Sequence, residues 1–133
     1  MLRSWKTDLE ITSRNLVSAS GAIKDYDAIA EIEVDGCTRS IGIEYERSAK
    51  SVTRYAAIRE ALDKDMTTDL VLYLTASDDI VYLLATELRS ARKRIAFALS
   101  DAFRRSLLET RTLTNTASSE IVPFRELLKL KHP

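Results

Sequence analysis

The chain has 133 residues, 45% of them hydrophobic and 30% charged, and its 20 basic and 20 acidic side chains cancel to zero net charge. This length suffices for one hydrophobic core, and the composition excludes a disordered tail or a fibrous repeat. The charge balance disfavours a protein that holds polyanions by bulk charge alone. Because Cys37 and His132 are the only residues of their types, an intrachain disulfide and a Cys/His zinc site are excluded.

The first half of the chain predicts a helix, a hairpin and a second helix. Apolar residues recur at helical spacing over residues 2–19, and Gly21 follows as a stop signal. Alternating apolar residues predict strands over 27–34 and 38–45, joined by a two-residue turn at Asp35-Gly36. The next predicted helix covers residues 48–63, with Ser48 or Ser51 as its cap.

The second half predicts alternating strands and helices. The continuous apolar run Leu70–Leu74 is typical of a strand buried on both faces. Ser77-Asp78-Asp79 predicts the start of a third helix that runs from Ile80 to Arg92. The pattern completes the chain with a strand over 94–100, a helix over 101–109, a loop or a ragged edge over 110–119, and a strand and helix over 121–131. This order predicts an α/β fold, a mixed central β-sheet flanked by helices, in a single domain of residues 1–133.

The predicted hairpin places carboxylates on one face of the sheet. If Val34 pairs with Cys37 across the turn, counting back along both strands places Asp27 directly opposite Glu44. Alternation places Glu46 on the same face, with Gly42 beside it to leave room for a ligand. Like charges directly opposite each other destabilise a sheet, so solvent, a basic side chain or a divalent cation must offset the repulsion. A solvated acidic face is the alternative interpretation.

Three segments carry a resemblance to a known family: Tyr26–Ile32, the turn Asp35-Gly36, and Ile43–Ser48. They resemble the PD-(D/E)XK nuclease superfamily and, within it, the replication-relaxation family of plasmids and mobile elements. In that family an Asp opens one strand, a short turn follows, and a Glu-x-acid-Arg-small sequence closes the next strand. The superfamily core is a helix, a three-strand meander, a helix and a further strand. The resemblance therefore implies a restriction-endonuclease-like fold.

The resemblance also implies a metal centre. Asp27 and Glu44 would hold Mg²⁺ or Mn²⁺, and Glu46 would bind a second ion or position the attacking water. Related Holliday-junction resolvases add a Glu from the first helix, and Glu10 is the matching position here. A plain exposed helix residue is the alternative interpretation of Glu10.

Two residues depart from the superfamily pattern. Tyr26 replaces the Pro that usually precedes the Asp, and Glu46 stands at the position of the catalytic Lys. A cation from the following helix can replace that Lys and stabilise charge on a phosphate. Lys50 is the main candidate, with Arg54 and Arg59 as others, and a solvated helix face is the alternative interpretation.

Two functions follow from the resemblance. The first is a metal-dependent DNA phosphodiesterase in which a basic segment contacts phosphates through Arg89, Arg92, Lys93 and Arg94, with Arg104-Arg105 beyond it. The alternative is a non-catalytic nuclease-fold module in the replication or transfer of a mobile element. This module would bind DNA or a protein partner, including a second copy, and the missing Lys and neutral net charge favour it.

A third possibility is a regulator unrelated to nucleic acid, whose Arg-rich helix contacts a protein. For every function we expect a cytoplasmic protein without membrane association. A single cysteine suits a reducing compartment, and no apolar run is long enough to span a bilayer.

Overall fold

The computed structural model describes residues 11–12, 26–115 and 121–129, which form a mixed β-sheet flanked by helices. The strands are β1 (Ile11–Thr12), β2 (Ala28–Val34), β3 (Cys37–Glu46), β4 (Leu70–Thr75), β5 (Ile95–Leu99), β6 (Arg111–Thr114) and β7 (Val122–Pro123). The helices are α1 (Val52–Lys64), α2 (Asp78–Glu87), α3 (Ser100–Ser106) and α4 (Phe124–Lys129), and a 3₁₀ turn covers Leu107–Glu109. The predicted mixed α/β architecture is confirmed.

The strands lie side by side in chain order. β1, β2 and β3 form an antiparallel meander, β3, β4 and β5 run parallel, and β6 and β7 return to antiparallel pairing. Helices α1 and α2 are the crossovers between the parallel strands. Because such crossovers are right-handed and both step in the same direction, they cover the same face of the sheet.

Strand β4 is the centre of the fold. Leu72 is 0% exposed, and its neighbours Leu70 and Val71 are buried as well, which confirms the predicted strand covered on both faces. On one face the core contains Ala30, Ile41, Leu72, Phe124 and Leu127. On the other face it contains Ile29, Tyr55, Val71, Leu84 and Phe97, supplied by the sheet and by α1 and α2.

The hairpin between β2 and β3 has the predicted turn and register. Asp35 has φ 52° and Gly36 has φ 83°, as a type I′ turn requires, and Val34 pairs with Cys37. The last pair is Ala28 with Ile43. Asp27, the residue before β2, therefore lies opposite Glu44.

The helix ends differ in detail from the prediction. Ser51 is the cap of α1, because its hydroxyl accepts from the Arg54 N–H at 3.1 Å. Helix α2 ends at Glu87, earlier than predicted. The Asp63 carboxylate accepts from the backbone N–H groups of Arg92 at 2.6 Å and Lys93 at 3.2 Å. These two N–H groups are therefore hydrogen-bonded to a side chain of α1 and not within a helix. None of the helices in the described ranges is long and apolar enough to cross a membrane.

The structure differs from the prediction in two segments. Ile11–Thr12, inside the helix predicted over residues 2–19, pairs with β2 as a strand, and the rest of that segment lies outside the described residues. Within the loop or ragged edge predicted over 110–119, Arg111–Thr114 forms strand β6. Thr112 and Thr114 are buried there, and β-branched threonines suit a pleated strand once a neighbouring strand is available.

Gly42 lies under an aromatic ring, which corrects the expectation that it leaves room for a ligand. A Cβ built at Gly42 would lie 2.9 Å from three ring carbons of Tyr26. Tyr26 is buried, and its hydroxyl donates to Asp65 Oδ2 at 2.7 Å, so the ring is held against the glycine. Tyr26 precedes Asp27, so this packing also positions the first predicted metal ligand.

We predict that Gly42→Ala lowers the free energy of unfolding by about 1–3 kcal/mol, because the new methyl group overpacks a well-filled contact. Urea unfolding of the single variant, of Tyr26→Leu and of the double variant checks this. The double variant should lose less than the sum of the single losses, because the smaller Leu relieves the clash. Strictly additive losses would show that Gly42 and Tyr26 do not interact.

Candidate active site

The side chains of Asp27 and Glu44 each accept a hydrogen bond from a backbone N–H group across the hairpin. The Asp27 N–H donates to Glu44 Oε1 at 3.0 Å, and the Tyr45 N–H donates to Asp27 Oδ2 at 2.8 Å. The predicted cross-strand pair is therefore present, with the two side chains side by side. Backbone N–H groups, which carry partial positive charge, offset part of the repulsion that the sequence predicts.

The two carboxylates line a cavity of about 510 Å³ between the sheet and α1. Its sheet side is acidic, with Asp27, Glu44 and Glu46, and its helix side carries the basic residues Lys50 and Arg54. The remaining wall is formed by Tyr45, Tyr73 and the small or apolar α1 residues Ala57, Ile58 and Ala61. Acidic and basic side chains thus line the same cavity, which is large enough for a ligand.

Lys50 reaches the carboxylates, as the sequence analysis proposed. Its Nζ lies 2.7 Å from Glu46 Oε1, and Glu46 is only 7% exposed. The Lys50 N–H donates to the hydroxyl oxygen of buried Tyr55 at 3.0 Å, which fixes the segment leading into α1. Arg59 does not contribute, because its guanidinium donates to the Glu87 carbonyl of α2 at 2.5 Å.

Tyr73 is a residue of the cavity that the sequence analysis missed. It lies in the apolar run of β4, opposite Glu44 in the parallel ladder, and was assigned to the core. Burial raises the pKa of its phenol well above the usual value, and the charges of Glu44 and Glu46 raise it further. The hydroxyl therefore stays protonated. A hydroxyl in an otherwise aliphatic strand was the signal in the sequence.

The predicted nucleic-acid-binding arginines lie at the other end of the parallel strands from the carboxylates. Arg92 and Arg94 precede Ile95, which pairs with Val71 at the start of β4, whereas Glu44 and Glu46 pair near its end. Arg89 and Arg92 are exposed, and Arg94 is half-buried. Arg104, also basic in the sequence, forms an ion pair with Asp101 on α3. The structure does not bring these arginines to the cavity.

Lys93 is an interior residue, which corrects its assignment to a nucleic-acid-binding surface. It is 9% exposed, and its ammonium donates to the carbonyl oxygens of Asp65 at 2.9 Å and Thr68 at 2.6 Å. The same ammonium lies 3.3 Å from Asp65 Oδ2. Because these contacts use its donors, Lys93 joins the loop after α1 to the start of β5 and contacts no ligand.

Asp65 is the centre of this buried network. Burial opposes ionisation of its carboxyl, but hydrogen bonds from Thr67, Thr68 and Tyr26 outweigh burial and hold its pKa below the usual value. Through Tyr26 the network continues to Gly42 and to Asp27, so the interior charge pair supports one wall of the cavity.

A divalent cation fits the donor atoms of the Asp27 and Glu44 pair. Mg²⁺ and Mn²⁺ prefer carboxylate oxygens and keep several water ligands, so two adjacent carboxylates suffice as protein ligands. Glu10, the third predicted acid, lies outside the described residues. Among residues 26–115 and 121–129, no group of three or more His, Cys, Asp or Glu side chains has the arrangement of a metal site.

Comparisons of the chain with protein-family models, with curated proteins and with solved structures find no match.

We predict that Lys50→Met lowers the free energy of unfolding by about 1–3 kcal/mol at neutral pH, because it leaves the buried Glu46 carboxylate without its cation. Lys64→Met is the matched control. Lys64 pairs with Glu60 at the same i,i+4 spacing, but the two side chains are 66% and 70% exposed. Its loss should cost under about 0.5 kcal/mol. Equal losses in urea unfolding would show that the Lys50 pair is an ordinary surface ion pair.

We predict that Asp65→Asn lowers stability at pH 7 by about 3 kcal/mol, because it breaks a buried charge pair. A carboxyl with a lowered folded-state pKa stabilises the protein above its ordinary pKa of 3.8, and this contribution is lost as pH falls through the folded-state pKa. Melting temperatures from pH 7 to pH 2.5 should therefore fall less steeply in the variant than in the parent below pH 4.

Proposed function

We propose that the chain is a phosphodiesterase that depends on Mg²⁺ or Mn²⁺ and acts on DNA, with its active site in the cavity between β3 and α1. One observation carries the proposal: the hydrogen-bonded pair of Asp27 and Glu44 lines the same cavity as the basic residues Lys50 and Arg54. A cation held by carboxylates next to basic side chains is the arrangement that a phosphodiester requires, because the ligand is an anion that must approach acidic groups.

Each residue has a separate task in this proposal. Asp27 and Glu44 would hold the cation, which would neutralise charge on the phosphate. Lys50 and Arg54 attract the phosphate and stabilise the charge that develops on its oxygens. The short side chains of Ala57 and Ala61 keep the α1 wall open to the substrate. Glu46, the most buried of the three carboxylates, lies beside Lys50, where it can orient a water.

The order of the elements supports a restriction-endonuclease-like fold as part of this proposal. The meander β1–β2–β3, the helix α1 and the parallel strand β4 follow one another as the resemblance to PD-(D/E)XK nucleases implies. Strand β1 supplies the third strand of the meander, which the sequence analysis did not predict. The likeness to the replication-relaxation family gives the substrate, DNA of a plasmid or mobile element.

A second candidate is a non-catalytic module of the same fold that binds DNA or a protein partner. The 2.7 Å contact between Lys50 and Glu46 favours it, because the chain's own ammonium already neutralises the innermost carboxylate. In this case the cavity is an inherited structural feature, and partner binding occurs elsewhere on the surface.

We predict that millimolar Mn²⁺ raises the melting temperature of the parent by several degrees, because a ligand that binds only the folded state stabilises it by mass action. Asp27→Asn and Glu44→Gln should abolish this increase. Glu33→Gln is the control, because Glu33 is an exposed carboxylate on the same hairpin. The parent should also nick plasmid DNA in Mn²⁺, and both site variants should not.

The two measurements separate the candidates. A melting shift with no nicking of supercoiled, linear or branched DNA would favour the non-catalytic module. The absence of both a shift and nicking would overturn the cation site and the phosphodiesterase together.

A further inference from the structure

Two residues that line the cavity each bury a polar atom with no hydrogen-bond partner among the described residues: Glu46 through Oε2 and Tyr73 through its hydroxyl. Glu46 is 7% exposed and Tyr73 is 2% exposed, so neither atom is satisfied by bulk solvent. An unsatisfied buried polar group costs about 1–3 kcal/mol, and such groups in native proteins commonly mark a bound water, an ion or a catalytic role.

The two atoms have complementary chemistry. The Tyr73 phenol is a donor, because a phenol carries its proton at neutral pH. Glu46 Oε2 belongs to a carboxylate whose other oxygen accepts from Lys50 at 2.7 Å, so it is an acceptor. A molecule that satisfies both must accept one hydrogen bond and donate another, and water is the smallest such molecule.

We propose that Tyr73 and Glu46 together bind and orient the water that attacks the phosphodiester. This inference rests on the proposed phosphodiesterase activity and adds Tyr73 as a residue that touches the reacting water. Tyr73 donates to the water oxygen and leaves a lone pair free for attack, while the water donates one proton to Glu46 Oε2.

The reaction balances with solvent as the proton carrier. The water oxygen forms a bond to phosphorus, its proton passes to solvent, and the bond from phosphorus to the leaving oxygen breaks. The leaving oxygen takes a proton from solvent. Lys50 holds Oε1 and so keeps Oε2 turned towards the water throughout.

The surroundings hold the Tyr73 ring in one place. It stacks on Phe97 of β5 with ring centroids 6.0 Å apart and an interplanar angle of 29°. Glu44 lies beside it in the β3–β4 ladder, one strand away from Asp27. A fixed hydroxyl beside the carboxylate pair is suited to positioning a water, because its geometry does not change during the reaction.

The test compares three phenylalanine variants in Mn²⁺ with a DNA substrate. Tyr73→Phe should lower kcat at least tenfold, the effect of losing one positioned donor, with KM and the Mn²⁺-induced melting shift unchanged. Tyr26→Phe removes a buried hydroxyl that bonds to Asp65 and so loosens the segment that positions Asp27. It should lower the melting temperature and reduce the Mn²⁺-induced shift, a result that distinguishes a displaced metal ligand from the loss of the donor to the water. Tyr82→Phe, on the exposed surface of α2, should change neither.

A crystal structure supplies a readout independent of activity. We expect a solvent oxygen within hydrogen-bond distance of both the Tyr73 hydroxyl and Glu46 Oε2 in the parent, and its loss or displacement in Tyr73→Phe. A direct hydrogen bond from Tyr73 to Glu46 would overturn the inference whatever the activity. An active Tyr73→Phe with parental kcat would overturn it while leaving the phosphodiesterase intact. A parent with neither Mn²⁺ shift nor hydrolysis would overturn both.

Discussion

The two-residue turn at Asp35-Gly36 is the constraint on which the site depends. Both residues have positive φ, so the turn closes the hairpin with Val34 opposite Cys37 and fixes every later pair. A slip of one residue would send each side chain to the other face. In the observed register, Ile41 faces one core, and Glu44 and Glu46 face the cavity under α1. The charge arrangement is therefore a consequence of turn geometry.

Two different balances of charge hold the region together. At the cavity, Asp27 and Glu44 are tolerated side by side because backbone N–H groups bond to both, and Glu46 is tolerated because Lys50 bonds to it. At the other end of the parallel strands, Asp65 and Lys93 are buried together, and both are hydrogen-bonded. The carboxylates at the cavity therefore retain polar atoms that can bind a ligand. At the Asp65–Lys93 pair, all hydrogen-bond donors of the Lys93 ammonium are already used.

Tyr26 connects these two regions. Its ring covers Gly42 in β3, its hydroxyl bonds to Asp65, and the next residue in the chain is Asp27. The PD-(D/E)XK pattern that the sequence resembles usually has a Pro at this position, and a Pro would stiffen the segment that leads into the strand. Here a buried aromatic side chain positions the same segment through packing and a hydrogen bond. The difference in residue type therefore does not leave Asp27 unsupported.

The sequence by itself determined the hairpin, its register and the central strand Leu70–Leu74. These features depend on neighbours close in the chain: a turn dipeptide and the pattern of apolar residues. For a cation beside the carboxylates the sequence offered Lys50, Arg54 and Arg59, and the structure places Lys50 against Glu46. Only the tertiary structure decided that Arg111–Thr114 is a strand, that Lys93 is buried and that Tyr73 belongs to the cavity. Each of these depends on a partner distant in sequence: β5 and β7 for the strand, Asp65 for Lys93, and the carboxylates of β3 for Tyr73. A polar side chain acquires its role from what surrounds it, and the linear pattern specifies those surroundings only where the partners are adjacent.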